Sequence, residues 1–182
     1  MNEMEFYIYD DELWCMYGGK NEKVDEGSDI IKKIIVSIRE QYPEAYKALS
    51  ENYKKHSLNV PYYQYLMVNR FCRCNFGNLD PSTMDIDNRG GFHMEKVSCP
   101  LRGECQFEGV ICCPKFNSNL SSAELRVMRL VYDGMSNDEI AGELFISPHT
   151  VKNHIKSAYL KLGIHQKAEF IRYANDNNLF KD

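Results

Sequence analysis

Residues 136–163 read SNDEIAGELFISPHTVKNHIKSAYLKLG, and their punctuation decides the fold of the C-terminal third. Ser136 and Glu139 have the spacing of a capping box, in which each side chain satisfies an orphan backbone donor at a helix start. Ile140, Ala141 and Leu144 then line one face of a short helix. Only Phe145-Ile146-Ser147 separates it from the next helix, where Ser147 takes the N-cap and Pro148 the first turn. Val151, Ile155, Ala158, Tyr159 and Leu162 recur at helical spacing until Gly163 stops the run. A short helix, a tight turn and a longer helix predict a helix-turn-helix.

The flanks extend this to four helices. Ser121 and Glu124 repeat the capping box, Leu125, Met128, Val131 and Tyr132 give an apolar face, and Gly134 is the stop. A fourth helix is predicted from about Gln166 to Asn175, with Ala168, Ile171 and Ala174 inward. Residues 118–182 carry eight acids and eight bases, whereas residues 1–117 carry 18 acids and 14 bases. The neutral part is uneven, because Ser147–Leu162 holds Lys152, Lys156 and Lys161 and no acid. With Val151, Ile155, Ala158 and Leu162 inward, Lys152, Asn153 and Lys156 fall on the outer face, flanked by His149, Thr150 and His154. Such a face suits a major groove: lysine donates to guanine N7 and O6, asparagine pairs with adenine, and a helix N-terminus attracts phosphate.

Leu120-Ser121-Ser122-Ala123-Glu124, Gly134-Met135-Ser136-Asn137-Asp138-Glu139-Ile140-Ala141, Leu144-Phe145-Ile146-Ser147, Thr150-Val151-Lys152-Asn153-His154 and Tyr159-Leu160-Lys161-Leu162-Gly163 follow in order. Over about residues 119–178 this string resembles the LuxR/GerE-type DNA-binding domain of bacterial transcription factors. The resemblance implies a four-helix module whose third helix reads DNA and whose fourth often serves dimerisation. Carried over by position, Lys152, Asn153 and Lys156 face bases, and Thr150 and His154 contact phosphate. Gly142 departs from the pattern, where a better helix former is usual, and weakens the second helix slightly.

The 182 residues are 43% hydrophobic and 26% charged, with net charge −4, which excludes a disordered chain. Two domains are expected, 1–117 and 118–182. The overall class is mainly α: a helical N-terminal domain with a cysteine-rich, zinc-ordered loop, then the four-helix helix-turn-helix domain. Glu5–Asp10 reads as a strand and Lys20–Gly27 as a loop. Ser28 is an N-cap before a helix carrying Ile30, Ile31, Ile34, Ile35 and Ile38 to about Tyr42. Pro43 starts a second helix with Tyr46, Leu49 and Tyr53 on one stripe. Pro61–Phe71 reads as a third. From Asn75 to Pro114 no period survives apart from a possible strand at Phe92–Val97. A loop of that length calls for some ordering device other than a core.

Six of the seven cysteines supply a candidate: Cys72, Cys74, Cys99, Cys105, Cys112 and Cys113. In a reducing compartment clustered thiols point to metal or redox chemistry rather than disulfides. Structural zinc takes four soft ligands, and thiolates from separate loops can supply them. Cys72 is in phase with Tyr65 and suits a core. The ligand set expected is Cys74, Cys99, Cys105 and one of the adjacent pair Cys112 and Cys113, taken here as Cys112. His93 could replace one thiolate, and an iron–sulfur cluster is the alternative to zinc. Chelation should then loosen the chain between about Asn75 and Lys115.

These features predict a sequence-specific transcriptional regulator of double-stranded DNA, expected as a cytoplasmic, bacterial homodimer, not an enzyme. RNA polymerase or another protein is a further partner. No signal peptide or membrane span is expected. Tyr9-Asp10-Asp11-Glu12 resembles the acidic pair of a phosphorylatable receiver, but the βα alternation that should follow is missing. A sigma-like promoter factor would need a basic, aromatic melting helix upstream, where the chain is acidic. A metal-dependent enzyme with a DNA-targeting tail would need a base such as Glu95 or Glu104 beside an open zinc position.

Overall fold

Two hairpins begin the chain. Strands β1 (Met4–Tyr9), β2 (Glu12–Tyr17) and β3 (Lys20–Lys23) form an antiparallel meander. Its two-residue turns use Asp10-Asp11 and Gly18-Gly19, all with positive φ, the geometry that matches strand twist. The computed structural model describes residues 3–77, 79, 83–88, 90–177 and 179–180. It divides into two compact units, Met1–Phe116 and Asn117–Asp182.

Three helices follow the meander: α1 (Asp29–Gln41), α2 (Pro43–Asn52) and α3 (Val60–Asn75), with one 3-10 turn at Lys54–His56. The five isoleucines of α1 are buried, as their spacing predicts. Ser28 holds the N-cap position but makes no cap bond; its hydroxyl donates to Asp25 Oδ1 instead. The N-terminal unit is therefore α+β rather than helical. The strand expected at Glu5–Asp10 is β1. Its partners escape a periodicity test, because β2 buries Leu13 and Cys15 while Trp14 and Met16 on its other face are apolar too. The stretch read as a loop from Lys20 starts with β3.

The cysteine-rich segment has a core, contrary to the sequence expectation. Phe76, Ile86, Phe92 and Ile111 are at most 3% exposed and join the same apolar cluster as α1, α3 and β1. Phe92 sits in an aromatic group with Tyr42, Phe71 and Phe76, ring centroids 5.5–6.2 Å away. Backbone amides of Met4 and Ile86 exchange hydrogen bonds of 2.9 and 3.0 Å. The Phe6 amide donates to Asp85 Oδ2 at 2.6 Å. The strand expected at Phe92–Val97 is reduced to one bridge between Phe92 and Ile86. Part of the turn-rich run that begins at Asn75, including Asn78, Asp80 and Pro81, lies outside the described residues.

Helix α3 runs four residues past its expected end, so Cys72 and Cys74 are helical. Its last residue, Asn75, is fully buried. Asn75 Nδ2 donates to the carbonyls of Phe71 (2.9 Å) and Ile111 (2.8 Å), and Oδ1 accepts from the Cys113 amide (2.8 Å). One side chain thus fastens the far end of the loop to the helix. Asn75→Ala strands buried backbone groups, and should cost about 1–3 kcal/mol. Urea unfolding followed by near-UV circular dichroism measures this.

In the second unit α4 (Ser122–Tyr132), α5 (Asn137–Leu144), α6 (Pro148–Leu162) and α7 (Lys167–Asp176) lie where sequence puts them. Both capping boxes are complete. Two helix phases differ from expectation. Val127, not Leu125, joins Met128 and Val131 in the core, and α7 buries Phe170 with Ala174 while Ala168 is exposed. Ile171 packs at the edge. Gly142 faces solvent in α5, and a Cβ built there meets nothing within 4 Å. Gly142→Ala should therefore stabilise the chain by about 0.5–1 kcal/mol, read as a higher urea midpoint with an unchanged slope.

Candidate nucleic-acid interface

Helix α6 is set by its ends. Ser147 Oγ accepts from the Thr150 amide at 3.0 Å, Pro148 fills the first turn, and Gly163 ends the helix at φ 66°. Before it, Phe145 turns the chain at φ 54°, which closes α5 and lets the connection stay short. Val151 and Ala158 are buried, and Ile155, Tyr159 and Leu162 pack at the core edge. Lys152, Asn153 and Lys156 are exposed together on the opposite side. His149 is exposed beside them, while Thr150 and His154 are half-buried. The Thr150 hydroxyl is 2.8 Å from Ser147 Oγ, so it also braces the N-cap.

Lys161 does not belong to that face. Its Nζ lies 2.7 Å from Glu124 Oε2. Glu124 is only 4% exposed and carries three donors: Lys161 Nζ, the Ser157 hydroxyl (2.6 Å to Oε1) and the Ser121 amide (2.7 Å to Oε2). Sequence reasoning saw only its part in the capping box. The further signal was the i, i+4 pair Ser157 and Lys161, polar residues on the inner edge of α6. This cluster locks the rotation of α6 against α4 and so aims the outer face. A second missed residue is Asn137, at the start of α5. It lines an open concavity of about 340 Å³ together with Lys152, Ile155, Lys156, Tyr159 and Leu160.

The Lys161 ammonium, the Ser157 hydroxyl and the Ser121 amide hold the Glu124 carboxyl down at about 2. An unfolded glutamate titrates near 4.3. Because the folded value is the lower one, the carboxylate stabilises the unit above about pH 4.3, and that contribution is lost as pH falls toward 2. Glu124→Gln should lower stability at pH 7 by about 1.5–3 kcal/mol, the range for hydrogen bonds to a charged group. The deficit should shrink as pH falls from about 4.3 toward 2, because the unfolded carboxyl takes up a proton over that range while the native one still holds its charge. Thermal melts over that pH range measure it.

The cysteines fall into two groups. Cys15 and Cys72 are buried in the N-terminal core. Burial pushes the Cys15 thiol up to about 12, and that of Cys72 well above its ordinary value. They are core thiols. Cys74, Cys105 and Cys112 are half-buried, and Cys99 and Cys113 exposed, around the end of α3. Among the described residues no three His, Cys, Asp or Glu side chains are already placed to hold a metal ion. His93 Nε2 lies 3.3 Å from Asp87 Oδ2, and Glu95 Oε2 accepts from the Gly77 amide at 2.8 Å. Both are thus occupied within the loop.

Residues 118–174 match the family model described as bacterial regulatory proteins, luxR family. Over 57 residues, 31% of this chain, the sequence is 44% identical to the HTH-type transcriptional regulator MalT of Serratia proteamaculans and 42% identical to that of Cronobacter sakazakii. The aligned stretch is 6% of the length of each relative. No helix of the described residues is long and apolar enough to cross a membrane.

Proposed function

From the LuxR-family domain formed by residues 118–174, we propose that this chain is a DNA-binding transcriptional regulator that reads sequence with α6. The observation that carries this reading is the exposed, acid-free face of α6, with Lys152, Asn153 and Lys156 side by side. Lysine at 152 and 156 matches the N7 and O6 acceptors of guanine, and Asn153 matches the N6 and N7 edge of adenine. His149 and Thr150, in the first turn, lie where a helix N-terminus draws phosphate, with His154 one turn on. Binding as a homodimer on paired half-sites completes the proposal, because one short helix contacts few base pairs. Residues 1–116 would serve as the module that receives a signal or a protein partner such as RNA polymerase.

Selection of duplexes from a randomised pool by the full-length chain tests this directly. A recurrent motif should emerge. On that motif Lys152→Ala, Asn153→Ala and Lys156→Ala should each cost about 1–3 kcal/mol and relax preference at one position. Thr150→Ala and His154→Ala should weaken all sequences alike, and loss of a charged phosphate contact should reduce the salt dependence. Absence of any enriched motif, or wild-type affinity in all three base-facing variants, would falsify the reading.

A further inference from the structure

Two tight turns carry the cysteines that the core does not use. In the first, Arg102 N donates to Cys99 O (3.2 Å) and Cys105 N to Leu101 O (2.9 Å), with Gly103 at φ 87°. In the second, Ile111 N donates to Phe107 O (2.9 Å) and Gly109 N to Cys112 O (2.8 Å), with Gly109 at φ 74°. Cys99, Cys105 and Cys112 therefore stand at the feet of consecutive turns. Asn75 holds the foot of the second turn, through Ile111 O and Cys113 N, against the end of α3. Cys74 is the adjacent residue of that helix.

Two arginines serve this cluster. Arg70, one turn before Cys74, lies with its guanidinium 5.9 Å from the Phe107 ring centroid. It reaches the Cys74 thiol and lies within electrostatic range of Cys105. Its Nε is buried with no acceptor. Arg102 Nη1 points at Cys112 Sγ from 3.6 Å. Neutral thiols are poor acceptors for guanidinium groups, whereas thiolates are good ones. A divalent ion bound by four thiolates is doubly negative, and Arg70 together with Arg102, which also pairs with Glu108 Oε1 at 3.3 Å, offsets part of that charge. The Cys99 and Cys105 sulfurs lie within electrostatic reach of Cys74.

We propose that Cys74, Cys99, Cys105 and Cys112 bind one zinc ion, with Arg70 and Arg102 offsetting part of the charge of the thiolate shell. Each thiol releases its proton to solvent as it ligates. Cys113 is left out of the set, since its left-handed backbone presents the amide to Asn75. Binding draws the exposed Cys99 turn onto α3. The ion therefore ties down residues 98–113 and leaves the aromatic core around Phe76, Ile86 and Phe92 as it is. The site is independent of the DNA-reading face, and a chain that selects no DNA motif would still be expected to hold its metal.

The test is the metal content of the full-length chain purified without chelator. One zinc per chain is expected. Replacement by Co²⁺ should give the intense visible bands and the sulfur-to-metal charge transfer of a tetrahedral thiolate site. Cys74→Ser, Cys99→Ser, Cys105→Ser and Cys112→Ser should each lose the stoichiometric ion, and Cys113→Ser should retain it. Adding Zn²⁺ to metal-stripped wild-type protein should slow hydrogen exchange and tryptic cleavage at Arg102 within residues 98–113 only. That arm does not depend on any variant folding. A metal-free chain that takes up neither ion, retention of zinc in the four serine variants, iron with sulfide in place of zinc, or unchanged exchange in 98–113 overturns the proposal.

Discussion

The buried carboxylate of Glu124 is the interaction on which the geometry of the second unit depends. A charge at 4% exposure is tolerated only when its oxygens are filled by donors. Two come from α6 (Ser157 and Lys161), and the third is the Ser121 amide at the positive end of α4. Rotating α6 about its axis by one residue would take Ser157 and Lys161 away together and leave the carboxylate bare. The outward direction of Lys152, Asn153 and Lys156 is thus set by a cluster that touches none of them. Lys161 illustrates the point: its charge, which adds to the basic look of α6 in sequence, is consumed inside the unit.

Much of the second unit was legible because its signals are local. Ser121, Ser136 and Ser147 mark helix starts through bonds that span three residues, and Gly134 and Gly163 mark stops at positive φ. What local reading could not decide was phase. Between Leu125 and Tyr132, apolar residues occupy two overlapping stripes, and only the burial of Glu124 brings Val127 rather than Leu125 inward. In α7, Phe170 and Ile171 are neighbours that cannot both point to the core centre, and the ring of Tyr159, 6.3 Å from Phe170, lies on the side that wins.

The first unit was less legible for reasons of distance along the chain. Its loop contributes single residues to the core without a period, so Phe76, Ile86, Phe92 and Ile111 look like scattered hydrophobics in a turn-rich stretch. Their partners lie far away: Met4 pairs with Ile86, and Phe6 with Asp85. The meander was hidden differently, since β2 is apolar on both faces and gives no alternation to detect. Among the candidate ligands, the extension of α3 to Asn75 matters most. It converts Cys74 from a loop residue into a fixed point on a helix and leaves Cys72 in the core.

The contrast between three polar clusters localises what the fold leaves open. Glu124 has a donor for each oxygen. Asn75 uses both its amide nitrogen and its oxygen, the second on a backbone amide 38 residues away. Among the described residues only Trp14 Nε1 and Arg70 Nε are buried side-chain polar atoms without a partner. Trp14 lies on the meander. Arg70 sits on α3 beside Cys74 and within electrostatic range of Cys105, at the edge of the core where Phe107 packs. Native structures rarely leave a buried donor unmatched, and here the Cys74 and Cys105 sulfurs, with the Tyr53 phenol, are the groups within electrostatic range of it. The cysteines therefore have a narrower role than ordering a forty-residue loop, since Phe76, Ile86, Phe92 and Ile111 already do most of that. On the zinc proposal, what remains for them is the short stretch of two turns beside Arg70, whose Nε has no acceptor.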